Sequence, residues 1–143
     1  MIQTDSIEEL GLGVTREWVN DHRIVVFTIA DVSRAAVDAW MDAVTQTMNT
    51  WTADTIYIVH DYTPSKTSML TPYMRARIQE LYEFGRDLRG HLAVVLPRTF
   101  ITILMKAFLN KQERTGITVY VCFSREEALR ELEKIMAPTT SGA

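Results

Sequence analysis

The chain has 143 residues, of which 47% are hydrophobic and 23% are charged, and its formal net charge is -3. This size and balance exclude a disordered chain and fit one domain with a single core, expected over residues 14–136. The small negative charge provides no basic surface for a phosphate backbone, so nucleic-acid binding is not expected.

The cysteine content and the N-terminal residues bear on the compartment. Cys122 is the only cysteine, which excludes an internal disulfide framework and a cysteine-based metal cluster. The first ten residues, MIQTDSIEEL, are acidic and do not resemble a signal peptide. No apolar run approaches the roughly 18 residues that span a bilayer. We therefore expect a cytoplasmic protein with no transmembrane segment, no metal and no cofactor.

The first third of the chain predicts a hairpin and a helix. Residues 1–13 are polar without a period and predict a flexible lead-in. Val14–Val19 and Ile24–Ile29 predict two antiparallel strands joined by a tight turn at Asn20-Asp21. Beyond a predicted N-cap at Ser33, apolar residues recur at helical spacing and predict a helix that packs on the sheet. These residues are Val37, Trp40, Met41, Val44, Met48 and Trp51.

The stretch from Ile56 to Pro72, IYIVHDYTPSKTSMLTP, predicts the functional edge. Ile56–Val59 is apolar and typical of a strand buried in a parallel sheet. A hydroxyl-rich loop follows, and Thr71 with Pro72 predicts the N-cap and first residue of a helix. Ligands and partners of open α/β sheets meet the carboxyl ends of the strands, where this loop lies. The predicted partner-binding or regulatory residues are His60, Asp61, Thr63, Ser65, Lys66, Met69 and Tyr73.

The remaining pattern predicts two further strands and three helices. The strands are His91–Leu96 and Ile117–Phe123. The helices are Pro72–Arg89, stopped by Gly90; a helix from a Thr99 cap to about Arg114, closed by Gly116; and a helix capped by Ser124 and Glu127 that ends near Met136, before a disordered tail over 137–143. The fold class is therefore α/β, with a mainly parallel sheet of about five strands, an antiparallel N-terminal edge strand and four helices.

The third predicted helix is unusually apolar. Its main apolar arc is expected to face the sheet and consists of Phe100, Ile103, Leu104, Ala107 and Phe108. Ile101, Met105 and Leu109 widen this arc, and the remaining polar strip is narrow, with Thr102, Lys106, Asn110 and Glu113. A helix on a small sheet needs one buried side only, so the three widening residues need other cover. Three covers are open: a neighbouring helix, a homodimer partner, or an apolar ligand or lipid.

Three segments resemble a STAS-like (SpoIIAA-like) domain of the kind found in sporulation anti-anti-sigma factors and in STAS/SEC14-related bacterial proteins. These segments are HDYT after the central strand, HLAVVLPRTF, and TVYVCFSREEALREL. The resemblance implies a protein partner bound at the loop after the central strand. Asp61 matches the acidic position of the anti-anti-sigma factors, and Thr63 or Ser65 stands where they carry a phosphorylated hydroxyl. Pro64 interrupts the loop, and the glycine that follows the hydroxyl there is absent.

Three functional hypotheses follow from these observations. The first is a non-catalytic regulatory or protein-interaction module that binds its partner with the loop and helix start after the central strand. The second is a binder of a small apolar or lipid-like ligand between the third helix and the sheet. The third is an enzyme that uses His60 and Asp61, because a histidine beside acidic and hydroxyl groups suits proton transfer.

Overall fold

The computed structural model describes residues 4–65, 71–85, 87–110, 112–114 and 116–141. In these residues seven strands and four α-helices form one α/β unit. The strands are β1 Thr4–Gly11, β2 Val14–Val19, β3 Ile24–Ile29, β4 Thr55–Asp61, β5 Arg89–Val95, β6 Gln112–Arg114 and β7 Ile117–Cys122. The helices are α1 Arg34–Thr50, α2 Pro72–Phe84, α3 Phe100–Leu109 and α4 Arg125–Ser141.

The sheet has the order β1-β2-β3-β4-β5-β7-β6. Strands β3, β4, β5 and β7 are parallel, whereas β1 and β2 pair antiparallel at one edge and β6 pairs antiparallel with β7 at the other. The predicted α/β class, the antiparallel N-terminal strands and the four helices are confirmed. The prediction of about five strands is wrong by two, and both additional strands lie at edges of the sheet.

The first additional strand is β1. The sequence predicts a flexible lead-in there, but Thr4–Gly11 pairs with β2, so the N-terminal edge strand is β1 and not Val14–Val19. Seven of its eight residues are exposed. A strand with no buried face has no apolar alternation, which is why periodicity does not reveal it.

The second additional strand, β6, replaces the predicted C-terminal end of the third helix. That helix ends at Leu109, not near Arg114, because Asn110 caps it. The Asn110 N–H donates to the carbonyl of Lys106 at 3.1 Å, and its Oδ1 accepts from the backbone N–H of Val121 at 2.8 Å. The chain is thereby tied to β7, and Glu113, expected on the helix, lies in a strand.

Two glycines explain why α2 is shorter than predicted. Gly85 caps the helix after Phe84, where its backbone N–H donates to the carbonyl of Leu81 at 2.9 Å. Gly90, predicted to stop the helix, lies within β5 opposite Ile56. A Cβ at Gly90 would stand 2.3 Å from the carbonyl oxygen of Ile56, so only glycine fits there without a shift.

The final helix is longer than predicted. Its backbone stays helical to Ser141, through most of the segment 137–143 that the sequence predicts as a disordered tail. A helix that has formed extends at the gain of about one hydrogen bond for each added residue, so the sequence pattern marks its end poorly. Residues 142–143 lie outside the described part.

The predicted helix N-caps are confirmed. The hydroxyls of Ser33, Thr71 and Thr99 each accept a hydrogen bond from a backbone N–H three residues later. The Ser124 Oγ accepts in the same way from the N–H of Glu127 at 3.1 Å, at the start of α4. The predicted reciprocal bond from Glu127 reaches the N–H of Phe123 instead of Ser124, at 2.9 Å.

The two faces of the sheet carry different helices. The face that α1 and α2 cover, called the α1 face here, includes the strand residues Phe27, Ile58 and Val121. The opposite face, called the α4 face, carries Val59 and Val95 beneath α4. Alternate residues of the inner strands thus supply two separate cores. Helix α3 lies against β7 at the side of the α1 face, where Met105 packs on that core.

Candidate functional site

A cavity of about 360 Å³ lies on the α1 face. Its floor is formed by β4, β5 and β7, and its walls come from α1, α2 and α3. Representative lining residues are Ile58 and Val94 of the floor and Val44, Ile78, Leu81 and Met105 of the walls. Among the described residues that line it, no side chain is charged. The volume lies within the roughly 300–1,000 Å³ typical of small-molecule sites.

Helix α3 is orientated opposite to the prediction. Thr102, expected on an outer polar strip, is fully buried, and its hydroxyl donates to the carbonyl of Pro97 at 2.7 Å. Lys106 turns towards α4, where its Nζ lies 2.5 Å from Glu127. The expected inward arc is wrong accordingly, since Ile103 and Leu104 are exposed.

The polar anchors of α3 explain this orientation. Thr102, Lys106 and Asn110 lie on one side of the helix at spacings of four residues, and all three bond to the rest of the domain. The apolar residues must then point elsewhere. Met105 and Leu109 line the cavity, although Leu109 is still 47% exposed, whereas Ile101 and Phe108 are exposed and do not line it.

His60 is one of the polar residues that line the cavity, together with Tyr62, Tyr82 and His91. Its side chain is only 3% exposed, and its Nδ1 accepts a hydrogen bond from the indole Nε1–H of Trp40 at 3.0 Å. Burial lowers the pKa of His60 to about 3, because a buried imidazolium would lose its hydration. The ring is therefore neutral at physiological pH. Its Nε2 is buried and has no hydrogen-bond partner within the described residues.

The predicted pair of His60 and Asp61 is not assembled. Consecutive residues of a strand face opposite sides, and His60 lies on the α1 face. Asp61 instead closes a local turn, where its Oδ1 accepts from the backbone N–H of Thr63 at 3.0 Å and from the Thr63 hydroxyl at 2.6 Å. Neither of these hydrogen bonds connects Asp61 to His60.

The remaining predicted site residues lie at the start of the loop and on α2. The Ser65 hydroxyl donates to the carbonyl of Tyr62 at 2.7 Å in a short 3-10 turn. The Tyr73 hydroxyl donates to Asp38 on α1, and this hydrogen bond raises the pKa of Tyr73. Lys66 and Met69 lie outside the described residues, so the predicted partner surface is described only at its two ends.

The side chains of the other two histidines and of the cysteine have other neighbours than His60, although His91 also contributes to the lining of the cavity. His22 stacks on Trp18, and His91 Nδ1 lies 3.0 Å from the Tyr120 hydroxyl. Within the described ranges no group of three His, Cys, Asp or Glu side chains is arranged to hold a metal ion. Cys122 is buried on the α4 face, where burial raises the pKa of its thiol to about 12. It therefore stays protonated and unreactive.

Sequence reasoning missed most of the cavity wall. Trp40, Val44 and Met48 of α1 were predicted as ordinary core, and Ile78 and Leu81 of α2 carry the same helical spacing. A helix has the same apolar stripe in its sequence whether its neighbours fill the space in front of the stripe or leave a cavity there. The available signal was the excess of apolar residues on α3, since such a helix leaves some of them without a packed neighbour.

No protein-family model, no curated protein and no solved structure matches this chain. The resemblance to STAS-like domains stays a prediction. No helix among the described residues has both the length and the apolar composition needed to cross a bilayer.

Proposed function

We propose that this protein binds a small, largely apolar ligand in the cavity between the sheet of the α1 face and helices α1, α2 and α3. The observation that carries this proposal is the cavity itself, about 360 Å³ with an uncharged wall. Apolar space of this size is costly to leave empty, because the side chains around it lack packing partners. A ligand would supply those contacts.

Helix α3 adds support because its apolar residues serve the cavity as well as the outer surface. Met105 and Leu109 lie in the wall, at positions that the sequence predicts as apolar-ligand or oligomer contacts. Lys106 and Glu127 connect α3 to α4 outside the cavity. A ligand in the cavity would leave this contact in place.

The protein-interaction hypothesis stays a prediction, as do signalling, a protein partner and phosphorylation of Thr63 or Ser65. The described hydrogen bonds of Asp61, Thr63 and Ser65 connect residues within the turn itself. Homodimer formation through α3 and a cytoplasmic location likewise stay predictions. None of them conflicts with a ligand in the cavity.

Binding of the neutral apolar dye N-phenyl-naphthylamine tests the proposal. We expect a saturable rise in dye fluorescence with one site per chain. Replacing Val94 on the cavity floor with Trp should weaken dye binding about tenfold or more, because the indole occupies the space. Val94→Phe, a smaller filler, should give an intermediate loss and guards against misfolding of the first variant, which thermal unfolding monitors.

The control variant addresses the exposed side of α3, which is the other apolar surface that the dye meets. Phe108→Ser removes its most exposed aromatic ring without entering the cavity wall. We expect this variant to bind the dye as the wild type does. Absence of dye binding in the wild type, or binding lost in Phe108→Ser but kept in folded Val94→Trp, would contradict the proposed function.

A further inference from the structure

One buried polar atom in the cavity wall has no partner, and it identifies the chemistry of the ligand. His60 lies on β4, at the centre of the sheet, and lines the cavity. Its ring packs against those of Phe27 and Trp40, with centroid separations of 5.8 and 5.1 Å. These contacts and the Trp40 hydrogen bond fix the orientation of the imidazole.

The hydrogen bond from Trp40 also fixes the tautomer. An indole Nε1–H can only donate, so His60 Nδ1 must be unprotonated in order to accept it. A neutral imidazole then carries its single proton on Nε2. His60 therefore presents an N–H donor, and this donor has no acceptor in the described part of the chain.

A buried N–H without an acceptor is unfavourable, because it has given up its hydrogen bond to water without replacement. Water in the cavity is a weaker substitute, since an ordered water needs about two to four polar partners and most of the lining is apolar, with Tyr62, Tyr82 and His91 as the other polar residues. A ligand that carries one acceptor oxygen on an apolar body satisfies the donor and fills the aliphatic space together.

The charge of the wall decides which acceptor fits. None of the described lining residues is cationic, so a carboxylate or phosphate would be buried without a counter-charge. Burial keeps His60 neutral, so the ring does not supply that charge either. An uncharged acceptor, such as the oxygen of a ketone, ester or other carbonyl group, meets the N–H without this cost.

We propose that the Nε2–H of His60 donates a hydrogen bond to an uncharged carbonyl oxygen of an otherwise apolar ligand, and that Trp40 is the positioning residue that keeps the proton on Nε2. This inference rests on the proposed function and adds to it the ligand class and the residue that recognises it. His60 thus selects among apolar molecules that the aliphatic wall alone would bind alike.

A matched pair of competitors tests the proposal. Methyl nonyl ketone and the alkene in which a methylidene group replaces its carbonyl oxygen have the same chain and nearly the same shape. Each is titrated against bound N-phenyl-naphthylamine. We expect the ratio of ketone affinity to alkene affinity to be about tenfold higher in the wild type than in His60→Phe, the size of one buried hydrogen bond left unmade. His60→Phe should still bind the dye and the alkene.

Two further variants distinguish a hydrogen bond from a packing effect. His60→Gln restores an N–H donor and should recover part of the preference for the ketone. Trp40→Phe keeps the aromatic packing but releases the Nδ1 of His60, so ring nitrogen-15 signals should change from the Nε2–H tautomer to a mixture. A purely structural role of Trp40 would leave the tautomer unchanged, which would overturn its positioning role.

The possible failures are distinct. A ratio of ketone affinity to alkene affinity that is the same in a dye-binding wild type and in His60→Phe overturns the role of His60 and leaves the proposed function standing. If the wild type binds no dye, both the proposed function and this inference fail.

Discussion

The two faces of the sheet carry similar apolar side chains, but one face is closely packed and the other borders a cavity. On the α4 face a single helix lays Ala128 and Leu132 on the strands, and both are fully buried. On the α1 face three helices surround the strands and leave a cavity of about 360 Å³ between them. The number of covering helices therefore does not decide how well a face is filled.

What decides is where the polar anchors of each helix lie. Helix α3 bonds to the domain through Thr102, Lys106 and Asn110, which turns much of its apolar surface away from the sheet. The polar contacts of α4 leave Leu132 directed at the strands. The α1 face also carries His60, a buried polar residue with a free donor in the described structure. The cavity and the Nε2–H donor of His60 therefore lie on the same face of the sheet, the α1 face.

The largest expected effect comes from the same truncation on the two faces. Leu132→Ala should lower the free energy of unfolding by about 2–5 kcal/mol, because the side chain leaves a hole in a packed core. Leu81→Ala, on the cavity wall and only partly buried, should cost about 1–2 kcal/mol. Both are helical leucines, so helix propensity cancels. Urea denaturation measures each, and equal losses would contradict a difference in packing.

Acidification should act mainly through the α1 face. In the unfolded chain the ring of His60 takes up a proton below about pH 6.5, whereas burial holds its folded pKa near 3. The contribution of the neutral His60 ring to the free energy of unfolding is therefore fully present above pH 6.5. It falls by about 1.4 kcal/mol per pH unit as the pH drops towards 3.

Chemical denaturation of wild type and His60→Gln between pH 7 and 4.5 measures this contribution. Over that range the free energy of unfolding of the variant should fall by about 3 kcal/mol less than that of the wild type. His22→Gln replaces an exposed histidine at the β2–β3 turn and serves as the control for the change of residue type. A His60→Gln profile parallel to that of the wild type would contradict a buried, neutral His60.

Two glycine substitutions compare a rigid backbone neighbour with a flexible side-chain neighbour. Gly90→Ala should cost about 1–3 kcal/mol, because the new Cβ meets the backbone of Ile56 at 2.3 Å. Gly85→Ala places its Cβ at the same distance from the Cε of Met48, a flexible end beside the cavity. Met48 can move, so the change should stay within about 0.5 kcal/mol. Thermal unfolding decides, and a larger loss from Gly85→Ala would argue for a filled, rigid α1 face.

The smallest expected effect on stability concerns the outer side of α3. Phe108 is exposed, so Phe108→Glu should leave the free energy of unfolding nearly unchanged. If α3 forms the predicted homodimer, the same change should give a folded monomer, because it places a charge in an apolar contact. Sedimentation at tens of micromolar measures this. A monomeric wild type would contradict the dimer and leave the cavity unaffected.

The sequence predicted well the elements whose signals are local. The caps at Ser33, Thr71 and Thr99 depend on a hydroxyl next to an apolar period, and each is present. The buried strand at Ile56–Val59 and the hairpin turn at Asn20 were recognised in the same way. Such signals involve residues a few positions apart and do not depend on tertiary contacts.

The sequence predicted poorly the features that depend on a distant partner. Strand β1 is defined by pairing with β2 rather than by its own exposed residues. The rotation of α3 depends on bonds to Glu127 and Val121, which no projection of the helix contains. His60 was selected for its place at a strand end, but its partner is Trp40 on α1 instead of the neighbouring Asp61. The cavity follows from these same long-range contacts.

Methyl NMR during titration with methyl nonyl ketone tests the central claim most directly, because it compares both faces of the sheet at once. We predict that the methyl signals of Ile58, Ile78 and Val121, in the cavity wall, shift and saturate together. The signals of Val26, Val59 and Leu132, in the core of the α4 face, should stay in place. Shifts confined to the α4 face or to the exposed methyls of α3, or no shift at any concentration, would contradict the account.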